Sequence, residues 1–277
     1  MPYALILQHA DLSACSLPHT AARFQLPPLH GRRIRIPLPE TVQLPEAVAA
    51  EWDAQQIDAA VLPDLPFSHF GLLASDMDST LITIECIDEI AARAGLKEQV
   101  AAITERAMRG ELDFRQSLHE RVALLEGLPE TALEYVYQNI LRLSDGAETL
   151  LDECRRHGVK TLLVSGGFTF FTDKLQHKLG LDWAYANRLE IKNGYLTGRV
   201  LGDIIDAQAK ADLLEQHRRQ LGLSREQTLA VGDGANDIPM FRAAGFGIAY
   251  RAKAAAEAAA SARIRHNGLD AVRGWFA

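Results

Sequence analysis

From residue 69 onward, short apolar runs recur, each closed by glycine, serine or aspartate: "FGLLAS", "VKTLLVS", "QTLAVG" and "GFGIAY". Between them lie helical patterns such as "AETLLDECRRHG" and "AQAKADLLEQHRRQLG". This alternation predicts right-handed crossovers and a parallel sheet with helices on both faces. The stretch "LEIKNGYLTGRV" departs from it, because Asn193-Gly194 between alternating residues is a two-residue hairpin signal. Residues 86–145 carry helical patterns and no strand. Helices inserted after the first core strand lie over the sheet's C-terminal edge, where α/β folds bind ligands, so this interval reads as a lid. The alanine-rich "RAKAAAEAAASAR" favours a surface helix.

Residues 1–68 have a different texture, rich in proline. "YALILQ", "RRIRIPL" and "DAAVLP" read as short strands, and "PEAVAAEWDAQQ" as a helix that starts at a proline. The expected organisation is thus a small N-terminal α+β unit over 1–68, an α/β core over 69–85 and 146–277, and a helical cap over 86–145. The N-terminal unit is a candidate regulatory or dimerising module, or simply a packed appendage. A homodimer is compatible with the sequence and not specified by it.

Bulk composition narrows the function classes. Among 277 residues, 48% are hydrophobic and 23% charged, as in an ordinary globular protein. The formal net charge of −7 argues against a nucleic-acid binder, whose affinity needs a basic surface. No run of about 18 apolar residues is present to span a bilayer, and "MPYALILQHADLSACS" lacks the basic start of a signal peptide. Three scattered cysteines (Cys15, Cys86, Cys154), with no C-x-x-C, fit a reducing compartment, so a cytoplasmic location is expected. No zinc motif occurs.

Chemistry concentrates where the apolar runs stop. In "SDMDST", Asp76 and Asp78 are two apart, so in extended chain they face one side and converge beyond the sheet. Taken alone, such aspartates are ordinary turn and helix caps. "LLVSGGF" ends a second strand with Ser165, leaving a hydroxyl and the Gly166 backbone to hold an anion; a simple N-cap explains it equally well locally. "AVGDGANDIPM" adds Asp233, Asn236 and Asp237 at a third strand end, before a helix expected to start at Pro239. Four carboxylates near one point cannot all stay ionised unless cations join them. A hard, oxygen-seeking Mg²⁺ meets that need, and Lys210 supplies a fixed positive charge.

These elements, in this order, resemble the haloacid dehalogenase superfamily of phosphoryl-transfer enzymes: D-x-D-x-T in "DMDST", the serine of "VSGG", the lysine, and "GDGAND". The resemblance covers about residues 70 to 277 and implies a Rossmann-like core with a cap. Within the superfamily, "DMDSTLITIECIDEIA" and "MRGELDFRQSLHERVALLEGL" are similar to the phosphoserine phosphatase family. The likeness implies Asp76 as nucleophile and Asp78 as acid and base. It further implies Mg²⁺ held by Asp76, Asp233 and the Asp78 carbonyl, and phosphoryl contacts from Ser165, Gly166 and Lys210. Asn236 would stand near the phosphate, and Asp237 would orient Lys210 or a metal-bound water. For phosphoserine, Glu85 suits the ammonium and Arg121 the carboxylate, with Met108 and Phe114 as apolar walls. Without the likeness, Glu85 reads as a helix cap, Arg121 as a surface charge, and Met108 and Phe114 as core. Members often carry an amino-acid-binding-like domain at the N-terminus, though residues 1–68 themselves match nothing. Two rivals stand beside hydrolysis: transfer of the phosphoryl group to another small alcohol such as homoserine, and a non-catalytic amino-acid sensor. The sensor has no use for a nucleophile and a proton donor.

Overall fold

The computed structural model describes residues 2–277. Strands β1 (Tyr3–Gln8), β2 (Arg33–Leu38) and β3 (Asp58–Pro63) form an antiparallel sheet in the order β2-β1-β3. Successive side chains of a strand face opposite ways. Leu5, Leu7, Ile34 and Ile36 therefore pack on one side with Val48 and Trp52 of the helix Glu46–Ala54. Ala4, Ile6, Ala60 and Leu62 point the other way and join Phe67, Phe70 and Phe276 in the main core. Burial on both faces explains why the central strand reads as the unbroken apolar run "ALIL" rather than an alternating one. A short helix at Pro18–Arg23, opened by its proline, has too few residues to show a period in the sequence.

The main sheet has seven strands: β4 (Leu72–Ser75), β5 (Lys160–Phe168), β6 (Trp183–Lys192), β7 (Tyr195–Leu201), β8 (Thr228–Gly232), β9 (Phe246–Tyr250) and β10 (Ala262–Ile264). Their order is β10-β9-β8-β4-β5-β6-β7, parallel except for the β6–β7 hairpin. The hairpin turns on Asn193 and Gly194, with φ of 53° and 79°, the doubly left-handed conformation that suits strand twist. Two expectations need correction. The alanine-rich segment is helical only over Ala254–Ala259 and then becomes β10, because Ala262 and Ile264 alternate into the core beside β9, and burial outweighs helix propensity. Strand β5 does not stop at Ser165 but continues to Phe168, with a register shift between Val164 and Phe168 that bends the chain there.

After β4 the chain passes into helices Cys86–Arg93, Lys97–Met108, Phe114–Ala123 and Thr131–Tyr135. It leaves and returns through a two-chain stem, where Thr83 N–H donates to the Arg142 carbonyl at 3.0 Å and Ser144 N–H to the Leu81 carbonyl at 3.0 Å. The segment Gly127–Glu130 pairs with the hairpin, Leu196 N–H reaching the Leu128 carbonyl at 2.8 Å and Glu130 N–H the Gly194 carbonyl at 2.9 Å. The hairpin is thus a bracket between sheet and helices. Among the described residues, no helix is long and apolar enough to cross a membrane.

The small sheet is fastened to the core by Asp58, which is 3% exposed. Its carboxylate accepts from the backbone N–H groups of Arg265 at 2.7 Å and Asn267 at 2.9 Å, and from Asn267 Nδ2 at 2.8 Å. Replacing it with alanine leaves buried N–H groups unpartnered, at a cost of about 1–3 kcal/mol for each group that finds no water. Asp58→Ala should therefore lower the urea midpoint clearly, with Asp58→Asn falling in between. An unchanged midpoint would show that the carboxylate is not what docks the sheet.

Candidate active site

The C-terminal ends of β4, β5 and β8 and the facing helices enclose a cavity of about 290 Å³. Its floor comes from Asp76, Asp78, Ser165, Gly166, Asp233 and Asn236, and its roof from Glu85, Phe114 and Arg121. Nine of the twelve residues singled out in the sequence thus meet at one place. Lys210 and Asp237 lie directly beneath the floor, 1% and 0% exposed. Lys210 Nζ is 2.8 Å from Asp76 Oδ2 and 2.8 Å from Asp237 Oδ1. Asp237 Oδ2 accepts from the backbone N–H groups of Asp233 at 3.1 Å and Gly234 at 3.0 Å, so this carboxylate ties the lysine to the β8 loop.

Met108 does not join them. It is 76% exposed at the end of its helix. The stripe Val100–Thr104–Met108 runs from buried through half-buried to exposed, because the last turn extends past the packed face. Thr104 borders the cavity in its place. Asp88 and Leu118, which lie within the two family-like stretches but were not singled out there, also line it, as does Lys253, which belongs to no motif. One further contact joins cap and core: Arg115 donates through Nε at 3.2 Å and Nη2 at 2.9 Å to Asp206. Asp206 in turn caps the Lys210 helix, Ala207–Gln220.

Local structure explains the aim of these side chains. Asp76 Oδ1 accepts from the N–H of Met77 at 2.7 Å, fixing its carboxylate at the strand end. The chain then turns sharply through Ser79, at φ 56°, a left-handed conformation unusual for a non-glycine residue. Ser79 Oγ donates to Glu85 at 2.8 Å, and Cys86 N–H to Asp78 Oδ1 at 3.2 Å, so the loop folds back over the cavity. On the cap, a reciprocal pair at Asp113 and Gln116 starts the helix that presents Phe114 and Arg121. A Cβ on Gly166 would lie 3.0 Å from the Phe114 ring, and one on Gly167 would lie 2.8 Å from Asp78. Glycine is what lets cap and strand end approach.

The electrostatics are lopsided. Asp76, Asp78, Glu85, Asp88 and Asp233 line the cavity against Arg121 and Lys253. Burial pushes Asp78 up to about 7, with Glu85 adding to it, and burial with Asp237 and Glu85 pushes Asp233 up to about 6. Asp76 is raised by burial and by Asp237 against the pull of Lys210. For Lys210, burial works against its charge, but Asp76 and Asp237 outweigh it and hold the ammonium above its ordinary value. Carboxylate oxygens of Asp76, Asp233 and Asp237 all lie within 4.8 Å of one another. Asp237 is buried beneath the floor, whereas Asp76 and Asp233 line the cavity and are its candidate oxygen donors. The donor set and the excess negative charge fit a hard divalent cation.

Residues 73–242 match the profile of haloacid dehalogenase-like hydrolases. The chain belongs to this family. It is 51% identical over 213 residues to the phosphoserine phosphatase of Polaromonas sp., covering 75% of this chain and 90% of that protein. A probable phosphoserine phosphatase from Vibrio cholerae, solved without ligand, superposes with a TM-score of 0.82 at 40% identity, over 97% of this chain and 84% of that one. A phosphoserine phosphatase solved in a substrate-bound complex gives a TM-score of 0.70 at 42% identity, over 75% of this chain and 99% of that one.

A divalent cation at 100 times its Kd should stabilise the fold by about 2.7 kcal/mol, roughly 5–10 °C in Tm. Asp233→Asn should lose most of that rise in a thermal melt. An equal rise in both proteins would place the cation elsewhere.

Proposed function

We propose that the protein is a Mg²⁺-dependent phosphatase that hydrolyses O-phospho-L-serine to L-serine and phosphate, the last step of phosphorylated serine biosynthesis. The observation that carries the substrate is Arg121. Its guanidinium is largely buried on the roof of the cavity, where burial works against its charge while Asp88, Glu85 and Asp78 support it. Among the described residues it forms no salt bridge, and its Nε donates only to the Ser117 carbonyl at 3.3 Å. A buried cation without a paired anion is costly, and a fork of donors matches a carboxylate. Glu85 offers a negative group to an ammonium beside it, and the phosphate end is left facing Asp76. A phosphorylated amino acid carries all three groups.

Asp76 attacks phosphorus with an ionised carboxylate, forming an aspartyl phosphate as the bond to the seryl oxygen breaks. Asp78, raised to about 7, holds a proton in a good part of the molecules at neutral pH and gives it to that oxygen. It then takes a proton from the water that hydrolyses the aspartyl phosphate. When bound, Mg²⁺ offsets the repulsion between nucleophile and phosphate dianion. The Ser165 hydroxyl and the backbone at Gly166 donate to the equatorial oxygens, where charge accumulates. Lys210 uses two of its three N–H groups on Asp76 and Asp237, which leaves one for the phosphoryl group. Phe114 and Leu118 exclude water from above.

Asp76→Asn should abolish turnover, by at least about 10³-fold since covalent catalysis is lost, while phosphoserine still binds. Near wild-type kcat would remove Asp76 from the nucleophile's role. Arg121→Ala should raise KM for phosphoserine about 10- to 100-fold, the worth of a charged hydrogen-bonded pair, and leave KM for an aryl phosphate nearly unchanged. Parallel changes for both substrates would show that Arg121 does not read the carboxylate.

A further inference from the structure

One buried side-chain amide links the β5 strand end to the helix that carries Lys210. Asn187 lies on β6 opposite Phe168, just past the register shift in β5, and is 0% exposed. Its Nδ2 donates to the Gly166 carbonyl at 2.8 Å, and its Oδ1 accepts from the Ile205 N–H at 2.8 Å. A short primary amide is suited to this span, since it carries a donor and an acceptor on one rigid plane.

Each bond has a consequence for the cavity. The Gly166 carbonyl and the Gly167 N–H belong to a single planar peptide, so holding one aims the other. That N–H donates to Ser165 Oγ at 2.8 Å. A hydroxyl that accepts there keeps its one proton to donate elsewhere, and Ser165 borders the cavity. On the far side, Ile205 precedes Asp206, which accepts from Ala209 N–H at 3.0 Å and starts the helix whose first turn holds Lys210.

We propose that Asn187 is a positioning residue for phosphoryl transfer. Through the Gly166–Gly167 peptide it directs the Ser165 hydroxyl toward the phosphoryl group, and through Ile205 it sets the spacing between that hydroxyl and Lys210. The inference rests on the reading of Ser165 as a hydrogen-bond donor to the phosphoryl group. Asn187 itself touches no reacting atom. Its contribution is preorganisation, which holds donors in place before charge develops. A purely structural amide would lower stability and leave phosphate affinity of the folded protein unchanged, which separates the two roles.

The test is a double-variant cycle on the full chain with Mg²⁺ present. Asn187→Asp keeps the acceptor for Ile205 but sets an oxygen against the Gly166 carbonyl, and Asn187→Ala removes both bonds. Turnover of phosphoserine and calorimetric binding of inorganic phosphate are measured for each, alone and combined with Ser165→Ala. The expected loss in kcat/KM is about 10- to 100-fold for each single Asn187 variant, with phosphate bound about 10-fold more weakly. For Asn187→Asp, which keeps the Ile205 bond, that loss should shrink to below about 3-fold when Ser165 is already alanine, because this route acts through one hydroxyl. Equal losses in both backgrounds, unchanged phosphate affinity, or failure of both Asn187 variants to fold would overturn the proposal in favour of a scaffolding role. Wild-type behaviour of Ser165→Ala alone would sink the reading of Ser165, and this inference with it. A deficit in Ser165→Ala beside intact Asn187 variants would sink the inference alone.

Discussion

A buried ammonium shared by two carboxylates organises the whole site. Lys210 Nζ stands 2.8 Å from both Asp76 and Asp237, with almost no access to solvent. Taking a lysine out of water is expensive, and only paired opposite charges with good geometry repay it. Lys210 thereby orients Asp76 and favours its anionic form against the burial and the Asp237 charge that raise it. The triad also joins three chain segments far apart in sequence, since Asp76 follows β4, Lys210 lies in the Ala207–Gln220 helix, and Asp237 follows β8. Removing Lys210 would leave two carboxylates facing each other in the interior without a cation between them.

Around this triad, loops at the strand ends are held by backbone contacts more than by side-chain bulk. Asp237 gathers two N–H groups of the β8 loop. Asn187 holds the β5 end to the segment before the lysine helix. Glycines at 166 and 167 keep the gap to Phe114 and Asp78 narrow. Catalysis by fixed dipoles depends on such rigidity, because donors that must reorient give up part of their advantage. The helical segment after β4 shares the main apolar core through Ile90, Leu118 and Leu133. Its contacts with the core include the stem, the hairpin bracket and the Arg115–Asp206 pair, whose side chains are 58% and 23% exposed. A partly exposed pair of this kind contributes little to stability.

The N-terminal unit is built differently from an independent appendage. Its central strand is buried on both faces, one of them against the main core, and Asp58 binds backbone N–H groups of residues 265 and 267. Continuity of the apolar core makes the two parts one packed body, so a perturbation of the small sheet is felt in the C-terminal segment of the main one. The 97% coverage shared with the Vibrio cholerae structure shows that this arrangement recurs in a related chain.

The amino-acid sequence by itself determined the alternation of strands and helices, the Asn193-Gly194 hairpin, the helical interval after the first core strand and the chemistry at three strand ends. All of these are local: they follow from periods of two or 3.6 residues and from groups within a few positions of each other. Tertiary structure decided what depends on distant partners. It put β10 where alanine content indicated helix, carried β5 past Ser165, and left Met108 in solvent while Thr104 took the cavity wall. It also brought Asn187 to Gly166 and Ile205, Arg115 to Asp206 and Lys253 to the cavity wall, because a contact between residues far apart along the chain leaves no periodic trace in the sequence.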